Sequence, residues 1–230
     1  MSDHSVADRM TGWTKPRSAA AVAALIGTLA LAAGSWVISI GQMNGMNMGI
    51  ATRLESFAFF VAVWVPMMTA MMLPGAAPAV MRRVRAGDGL RALPGFVLTY
   101  VMVWAVVGLA VYAVYRPHGS VAAGILVIAA GLYELTPFKQ GCRRRCSQDG
   151  QSALGYGLCC VGSSIGLMLV LLALGLMSIT WMAVITAVTL AQKLLPSRPA
   201  IDVPVALAIV GFGLLIIIAP TSIPGLMPPM

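Results

Sequence analysis

Seven apolar runs, with nearly every cation placed on alternate sides of them, constrain this chain more than any other feature. The runs cover residues 19–40, 57–81, 92–115, 121–138, 153–174, 178–195 and 203–219. Each is near the length a helix needs to cross about 30 Å of hydrocarbon. Arg9, Lys15 and Arg17 precede the first run. Arg82, Arg83, Arg85 and Arg91 fall in the second connection, Lys139, Arg143, Arg144 and Arg145 in the fourth, and Lys193 and Arg198 in the sixth. The opposite side holds only Arg53 and Arg116, and residues 221–230 hold no cation. Thirteen of the fifteen basic residues thus share one side. By the positive-inside rule that side is cytoplasmic. The expected fold is all-α: a polytopic membrane bundle of about seven transmembrane helices, N-terminus in and C-terminus out. Residues 1–18 are expected to form a cytoplasmic polar tail, 19–220 the bundle, and 221–230 a short extracytoplasmic tail. The first run is read as a retained helix, because it is long and no small-x-small cleavage site is followed by a polar start.

Composition points the same way. The chain is 59% hydrophobic and 10% charged, with mean hydropathy +0.90, which excludes an ordinary soluble domain. A net charge of +8 would suggest nucleic acid in a soluble protein. Here the cations are accounted for by anchoring against anionic lipid, so the expected partners are the bilayer, a metal ion and a protein partner, with no nucleic acid. The expected location is the bacterial inner membrane.

Sixteen methionines are many for 230 residues, and their placement says more than their number. Met67, Met68, Met71 and Met72 lie between Pro66 and Pro74, with Met67/Met71 and Met68/Met72 each four apart. At about 100° per residue both pairs fall on one broad helical stripe. Thioethers are soft, neutral ligands that suit Cu(I) and need no deprotonation. Methionine is also a flexible gap-filling hydrophobe, so packing explains the stripe equally well. The two prolines predict a kinked or interrupted helix. A second set, Met43, Met46 and Met48, alternates with Asn and Gly in the polar segment 41–55. Three sulfurs there can fold around a soft ion, or the segment can cap the membrane surface.

The four cysteines form two sets. Cys142 and Cys146 make a Cys-x-x-x-Cys that encloses Arg143, Arg144 and Arg145. Neighbouring guanidiniums are expected to lower the thiol pKa and favour the metal-binding thiolate. Two thiolates make a partial site for Cu(I) or Zn(II), not a complete tetrahedral zinc site. Cys159 and Cys160 lie near the same end of the fifth run, where a free cysteine is ordinarily a small apolar residue. Ionisable groups inside membrane helices are functional candidates by default. Glu134 reads as the one acid near a helix interior, with Lys139 or an interfacial arginine as its expected partner. Glycines 155, 157, 162 and 166 read as packing positions that let helices approach closely. No serine triad, paired carboxylates, H-E-x-x-H or phosphate loop is present, so no enzyme is expected.

Three motifs occur in order along the chain: Trp64-x-x-Met67-x-x-Ala70-Met71-Met72-Leu73-Pro74, then Tyr133-Glu-Leu-Thr-Pro137-x-Lys139-x-x-Cys142-x-x-x-Cys146, then Gly175-x-Met177-Ser178 followed by Trp181-Met182. Through them the chain resembles the DUF2182 proteins, described as metal-binding integral membrane proteins. The resemblance implies a polytopic helical protein with a metal site. It departs in two places. A richer cysteine cluster of the form Cys-x-Gly-Cys-Cys-Trp corresponds here to Cys160-Val161-Gly162-Ser163-Ser164-Ile165, and a Glu-Lys pair to Gln192-Lys193. The expected function is soft-metal handling or transfer across or within the inner membrane, most simply of Cu(I). The methionines would form a path, and Cys142 and Cys146 its cytoplasmic end. A membrane subunit or assembly factor that delivers metal to a partner is the alternative. A thiol oxidoreductase is a third reading, weakened by the lack of a Cys-x-x-Cys.

Overall fold

The computed structural model describes residues 4–43, 57–87, 89–114, 119–148, 150–174, 178–195 and 199–220. Side chains are described from Ala19 onward, with backbone alone for Met43, Pro199 and Ile201. Among the described residues the fold is all helical, as the apolar runs predict. The helices are α1 (His4–Met43), α2 (Phe57–Ala86), α3 (Leu93–Val114), α4 (Ser120–Glu134), α5 (Pro137–Cys146), α6 (Ala153–Leu174), α7 (Ile179–Leu194) and α8 (Pro199–Ile218), with a 3-10 turn at Leu90–Ala92. Helix α1 already begins at His4, so the polar leading segment continues into the first apolar run without a break.

Helices α1, α2, α3 and α6 are long and apolar enough to cross a membrane, and α4 with α5 makes one further span if the bent pair is counted as one. Helix α7 and residues 202–218 of α8 are shorter apolar helices. The fourth run is broken. Leu135 and Thr136 interrupt it, the axis turns by 63°, and Thr136 caps α5 with Pro137 in its first turn. Helix α5 carries Lys139 and three arginines in ten residues. We therefore take it as lying outside the membrane-spanning segments, along the end of the bundle.

Helices α2 and α6 form the centre. Helix α2 packs on α1, α3 and α7, and α6 packs on α3, α4, α5 and α7, while α4 and α8 make a close pair at the side. A Cβ on Gly124 would stand 2.8 Å from the Gly213 carbonyl oxygen, and one on Gly213 2.9 Å from that of Gly124, so glycine at both positions sets the α4–α8 distance. Large apolar side chains point outward on the periphery, among them Ile26, Val37, Leu98, Val106, Ile125, Leu158 and Leu207. Water would penalise such a surface, and hydrocarbon would not.

Helix α2 is continuous, so of the expected kink or interruption the interruption does not occur. It holds Pro66, Pro74 and Pro78 inside thirty residues. A proline frees the carbonyl four residues before it, and at Pro66 a neighbour supplies the donor. Gln42 Nε2 donates to the Ala62 carbonyl, four residues before Pro66, at 3.2 Å. Tyr100 and Tyr156 hydroxyls donate to the carbonyls of Met72 and Gly75, which flank Pro74, each at 3.2 Å.

Candidate functional site

The methionine stripe of α2 is deeply buried. Met67, Met68, Met71 and Met72 are all 2% exposed or less. They pack in the central core with Trp64, Tyr100 and Trp104. The crevice beside Met68, walled by Val65, Thr69, Tyr100 and Trp104, holds no water-sized space. Trp64 Nε1 donates to the Trp104 carbonyl at 2.9 Å and closes that layer. The other methionines expected to bind metal give no geometry: the Met43 side chain, Met46 and Met48 lie outside the described residues.

The cysteines behave differently. Helix α5 lies against α6, and this brings the two sets together. Cys142 faces Gly162, where an added Cβ would sit 2.6 Å from its Sγ. Cys146 lies within electrostatic reach of Cys160, Lys193 and Cys159, and it shares the wall of one cavity with Ser163. All four thiols are free, with Cys160 fully buried and the other three half-buried.

Cys160 is not a bland apolar residue. Lys193 Nζ donates to its Sγ at 2.7 Å. The Tyr100 hydroxyl is 3.0 Å from the same sulfur and 3.2 Å from the Met72 carbonyl. Tyr100 has one proton for two acceptors. When it donates to Met72, the Cys160 thiol donates to the tyrosine oxygen; if Cys160 loses its proton, the hydroxyl can turn to the sulfur. Tyrosine and lysine thus form a ready-made cradle for a thiolate or a metal thiolate. Gly75 makes room for the lysine, since a Cβ there would stand 2.4 Å from Lys193 Cδ.

The expectation that three arginines depress the α5 thiols is corrected. Burial is the largest influence and pushes Cys146 up to about 12, with Cys160 adding to the rise and Lys193 opposing it. Burial also raises Cys142; Arg145 works against it and does not win. Arg144 and Arg145 are exposed and Arg143 is engaged by Asp202, so the guanidiniums stabilise a half-buried sulfur less than the loss of water destabilises its anion. Both thiols therefore rest protonated at neutral pH.

Below this cluster is a buried ionic knot. Glu134 and Lys139, 2% and 1% exposed, form an ion pair across the α4–α5 break. Gln192 accepts from Lys139 Nζ at 2.9 Å and donates to Glu134 Oε2 at 2.7 Å. Helix α6 passes close because residue 166 is glycine; a Cβ there would lie 3.0 Å from Glu134 Oε1. Burial pulls the Lys139 pKa down, and Glu134 opposes that pull. A second buried acid, Asp202 on α8, corrects the reading of Glu134 as the sole one. Asp202 pairs with Arg143, which also donates to the carbonyls of Gln192 and Leu195 and so ties the end of α7 to α8.

Cations from three connections meet at this end. Arg82 donates to the Cys146 carbonyl at 3.3 Å, and Arg83 donates to the Gln151 carbonyl. Between them and α7 opens a cavity of about 410 Å³ whose lining includes Arg82, Arg143, Cys146, Tyr156, Ser163 and Lys193. Among the described residues no three His, Cys, Asp or Glu side chains converge on one metal position. The chemistry available is therefore that of a sulfur pair, Cys146 on the cavity wall and Cys160 behind it, with a lysine and a tyrosine as donors. Sequence reasoning missed Tyr100, Lys193, Gln192 and Asp202. Two of them had left a signal, the Gln192-Lys193 pair at the position of the resemblance's Glu-Lys.

A model of the PpoB2 family, described as copper chaperone, matches residues 61–216. The chain belongs to this copper chaperone family. The matched residues run from α2 into α8, so they include the methionine stripe, the cysteine cluster and the ionic knot. The family description agrees with the copper expected from the soft ligands, under a different name from the DUF2182 resemblance. No curated protein and no solved structure matches the chain.

Proposed function

We propose that this member of the copper chaperone family is a membrane-embedded carrier that takes Cu(I) as cargo on Cys146 and Cys160 and passes it to a partner protein. The observation that carries the reading is the cradle of Cys160, with Lys193 Nζ at 2.7 Å and the Tyr100 hydroxyl at 3.0 Å, behind a cavity walled by Cys146. Cu(I) is soft and is satisfied by two thiolates. The pair they form with Cu(I) carries one negative charge, which the Lys193 ammonium offsets. A site of two ligands at a cavity wall can release its ion as well as bind it. Conduction through the methionines is less well supported, because that stripe is packed dry.

In this reading the cation-rich end faces the cytoplasm of a bacterial inner membrane, and the seven apolar runs cross it with the N-terminus inside. What supports this is the meeting of the second, fourth and sixth connections at one end of the bundle. Reporter fusions at Met230 and in the connection 82–91 should report opposite sides; two cytoplasmic reports would refute the topology. Competition with a Cu(I) chelator tests the site. The reduced protein should bind Cu(I) in preference to Zn(II), and the Cys146→Ser/Cys160→Ser variant should lose that binding. Full occupancy in the double variant would refute the assignment.

A further inference from the structure

The four thiols fall into two pairs along the seam between α5 and α6. Cys146 and Cys160 make the inner pair, with Lys193 and Tyr100 on the Cys160 sulfur. Cys142 and Cys159 are left over, and the packing of the two helices brings them together. The Cys142 Sγ lies against Gly162, 2.6 Å from where a Cβ would sit, and the Phe138 ring is 3.5 Å from the same point. A side chain at 162 would displace that sulfur. Residue 162 is three on from Cys159, and residues three apart share a helix face, with Cβ atoms about 5–6 Å apart. Glycine thus seats the Cys142 sulfur within one turn of Cys159. The Tyr133 hydroxyl donates to the Gly162 carbonyl at 2.6 Å and ties α4 to the same turn. Cys142 and Cys159 lie within electrostatic reach of each other, and Cys159 is also within reach of Cys146. Cys159 therefore stands between the pairs, and Cys142 is four residues, about 6 Å of rise, from Cys146 along α5.

The two pairs differ in access. Cys160 is fully buried and Cys146 opens on the cavity, whose lining includes neither Cys142 nor Cys159. Those two are half-buried and are reached from elsewhere on the surface. A cavity of about 410 Å³ admits a small molecule and not a folded partner. We propose, resting on the carrier reading above, that Cys142 and Cys159 form a second Cu(I) position, from which the partner takes copper after a thiol handover from Cys146 and Cys160. Two ligand exchanges make the handover. The Cys159 sulfur bonds to copper as Cys160 leaves, and the Cys159 proton goes to the departing Cys160 sulfur. Copper is then shared by Cys146 and Cys159 across the seam. Cys142 bonds next as Cys146 leaves, and its proton goes to Cys146. Copper stays Cu(I), each two-thiolate complex carries one negative charge, and both inner thiols end protonated. Two soft ligands hold the ion at every stage, in keeping with the absence, among the described residues, of any point where three ligands converge. The outer position is the weaker. Lys193 answers the charge of the inner complex directly, whereas Arg145, which bears on Cys142, is exposed to water.

The experiment uses the full chain, reduced, in lipid discs. Cu(I) is titrated from chelator buffers of graded strength, and bound copper is counted. The unaltered protein should take two equivalents, the second about tenfold or more weaker for want of a donor such as Lys193. Cys142→Ser/Cys159→Ser should keep the tight equivalent and lose the weak one. Cys146→Ser/Cys160→Ser should keep only the weak one, which the chelator competition above strips. Protein loaded with one equivalent is then mixed with a Cys-x-x-Cys acceptor carried on a soluble domain, or with dithiothreitol, which is small enough for the cavity. Transfer to the domain should run about tenfold slower in Cys142→Ser/Cys159→Ser, for lack of a sulfur held beside the copper, while transfer to dithiothreitol changes little. Retention of the tight equivalent shows that the variant is folded, and Cys142→Ala/Cys159→Ala, apolar at both positions, is run beside it. A weak equivalent that survives in these variants overturns the proposal, as does transfer to the domain at an unchanged rate. Loss of the tight equivalent in the Ser and Ala variants alike makes the four thiols one site, and overturns it too. A tight equivalent without a weak one in the unaltered protein sinks the second position and leaves the carrier reading standing. No bound copper at all sinks both.

Discussion

The α2 methionine stripe and the cysteine end formed by α5, α6 and α7 are both rich in sulfur, yet they are built on opposite principles. The four stripe methionines are closely packed, dry and surrounded by aromatic side chains. The cysteine end is ionic, hydrogen-bonded and open to a cavity. Sulfur at helical spacing marks a helix face that is wanted inside; it does not by itself say for what. What separates a ligand from a packing residue is a route for the ion and a second group that answers the charge when it binds. Cys146 and Cys160 have both, and the methionines have neither in this conformation. The cost of polarity should therefore concentrate at one end, and the stripe should be forgiving.

The largest effect belongs to the ionic knot. Glu134→Ala would leave the Lys139 ammonium, 1% exposed, without its carboxylate. Breaking a buried pair from one side costs about 3–5 kcal/mol. Denaturation in detergent should show a loss of that size, with a smaller one for Glu134→Gln. The sign with pH can be worked out. Burial already pulls the Lys139 pKa down, and removing Glu134 removes what opposed it. Neutral lysine needs no partner, so the loss should ease as pH rises. A loss below about 1 kcal/mol would mean that the knot is not what stiffens the α4–α5 break.

Next is the lysine on the sulfur. Lys193→Met keeps an apolar stem and removes the charged donor to Cys160. A hydrogen bond to a charged group is worth about 1.5–3 kcal/mol, so Cu(I) affinity at pH 7 should fall about tenfold or more. Unchanged affinity would put the cargo elsewhere. The pH profile of the unaltered protein gives a third measure. Cys146 is pushed up to about 12, so near neutrality every copper it captures must expel a proton. Affinity should then climb by about tenfold per pH unit for each thiol deprotonated, up to that pKa. A flat profile between pH 6 and 8 would point to thioether ligands, which carry no proton.

Much of the fold was legible because lipid imposes so plain a rule. Each of the seven apolar runs contains a helix, and among the described residues cations of the second, fourth and sixth connections meet at one end. The continuity of α2 was not legible. Whether a proline breaks the helix depends on donors such as Gln42, which comes from another helix. The rise in the α5 thiols was hidden for a similar reason: the nearby arginines are visible in the sequence, and the burial that outweighs them is a tertiary property. Cys142 and Cys146 could be picked out by spacing, and Glu134 with Lys139 by their rarity in apolar surroundings. Tyr100 could not, because a tyrosine in a membrane helix carries no signal until its hydroxyl is seen beside a sulfur.

The smallest expected effect is the sharpest test of the comparison. Leucine nearly matches methionine in volume and is apolar, so replacing one by the other in a packed site costs less than about 1.5 kcal/mol. Met68→Leu and Met71→Leu should therefore fold, insert and bind Cu(I) as the unaltered protein does, within about threefold. Joining all four changes, at Met67, Met68, Met71 and Met72, should add small packing losses while leaving copper occupancy unchanged. Branched leucine repacks less freely than methionine, so the stability loss of the fourfold variant can exceed that of any single one without touching the metal. Occupancy and stability must for this reason be read separately. If the fourfold variant remains folded by its denaturation midpoint yet loses copper, the stripe binds metal in a conformation more open than this one. The two sulfur regions would then belong to one path. If copper is kept while Cys146→Ser/Cys160→Ser loses it, the methionines are core residues and the site is the thiol pair.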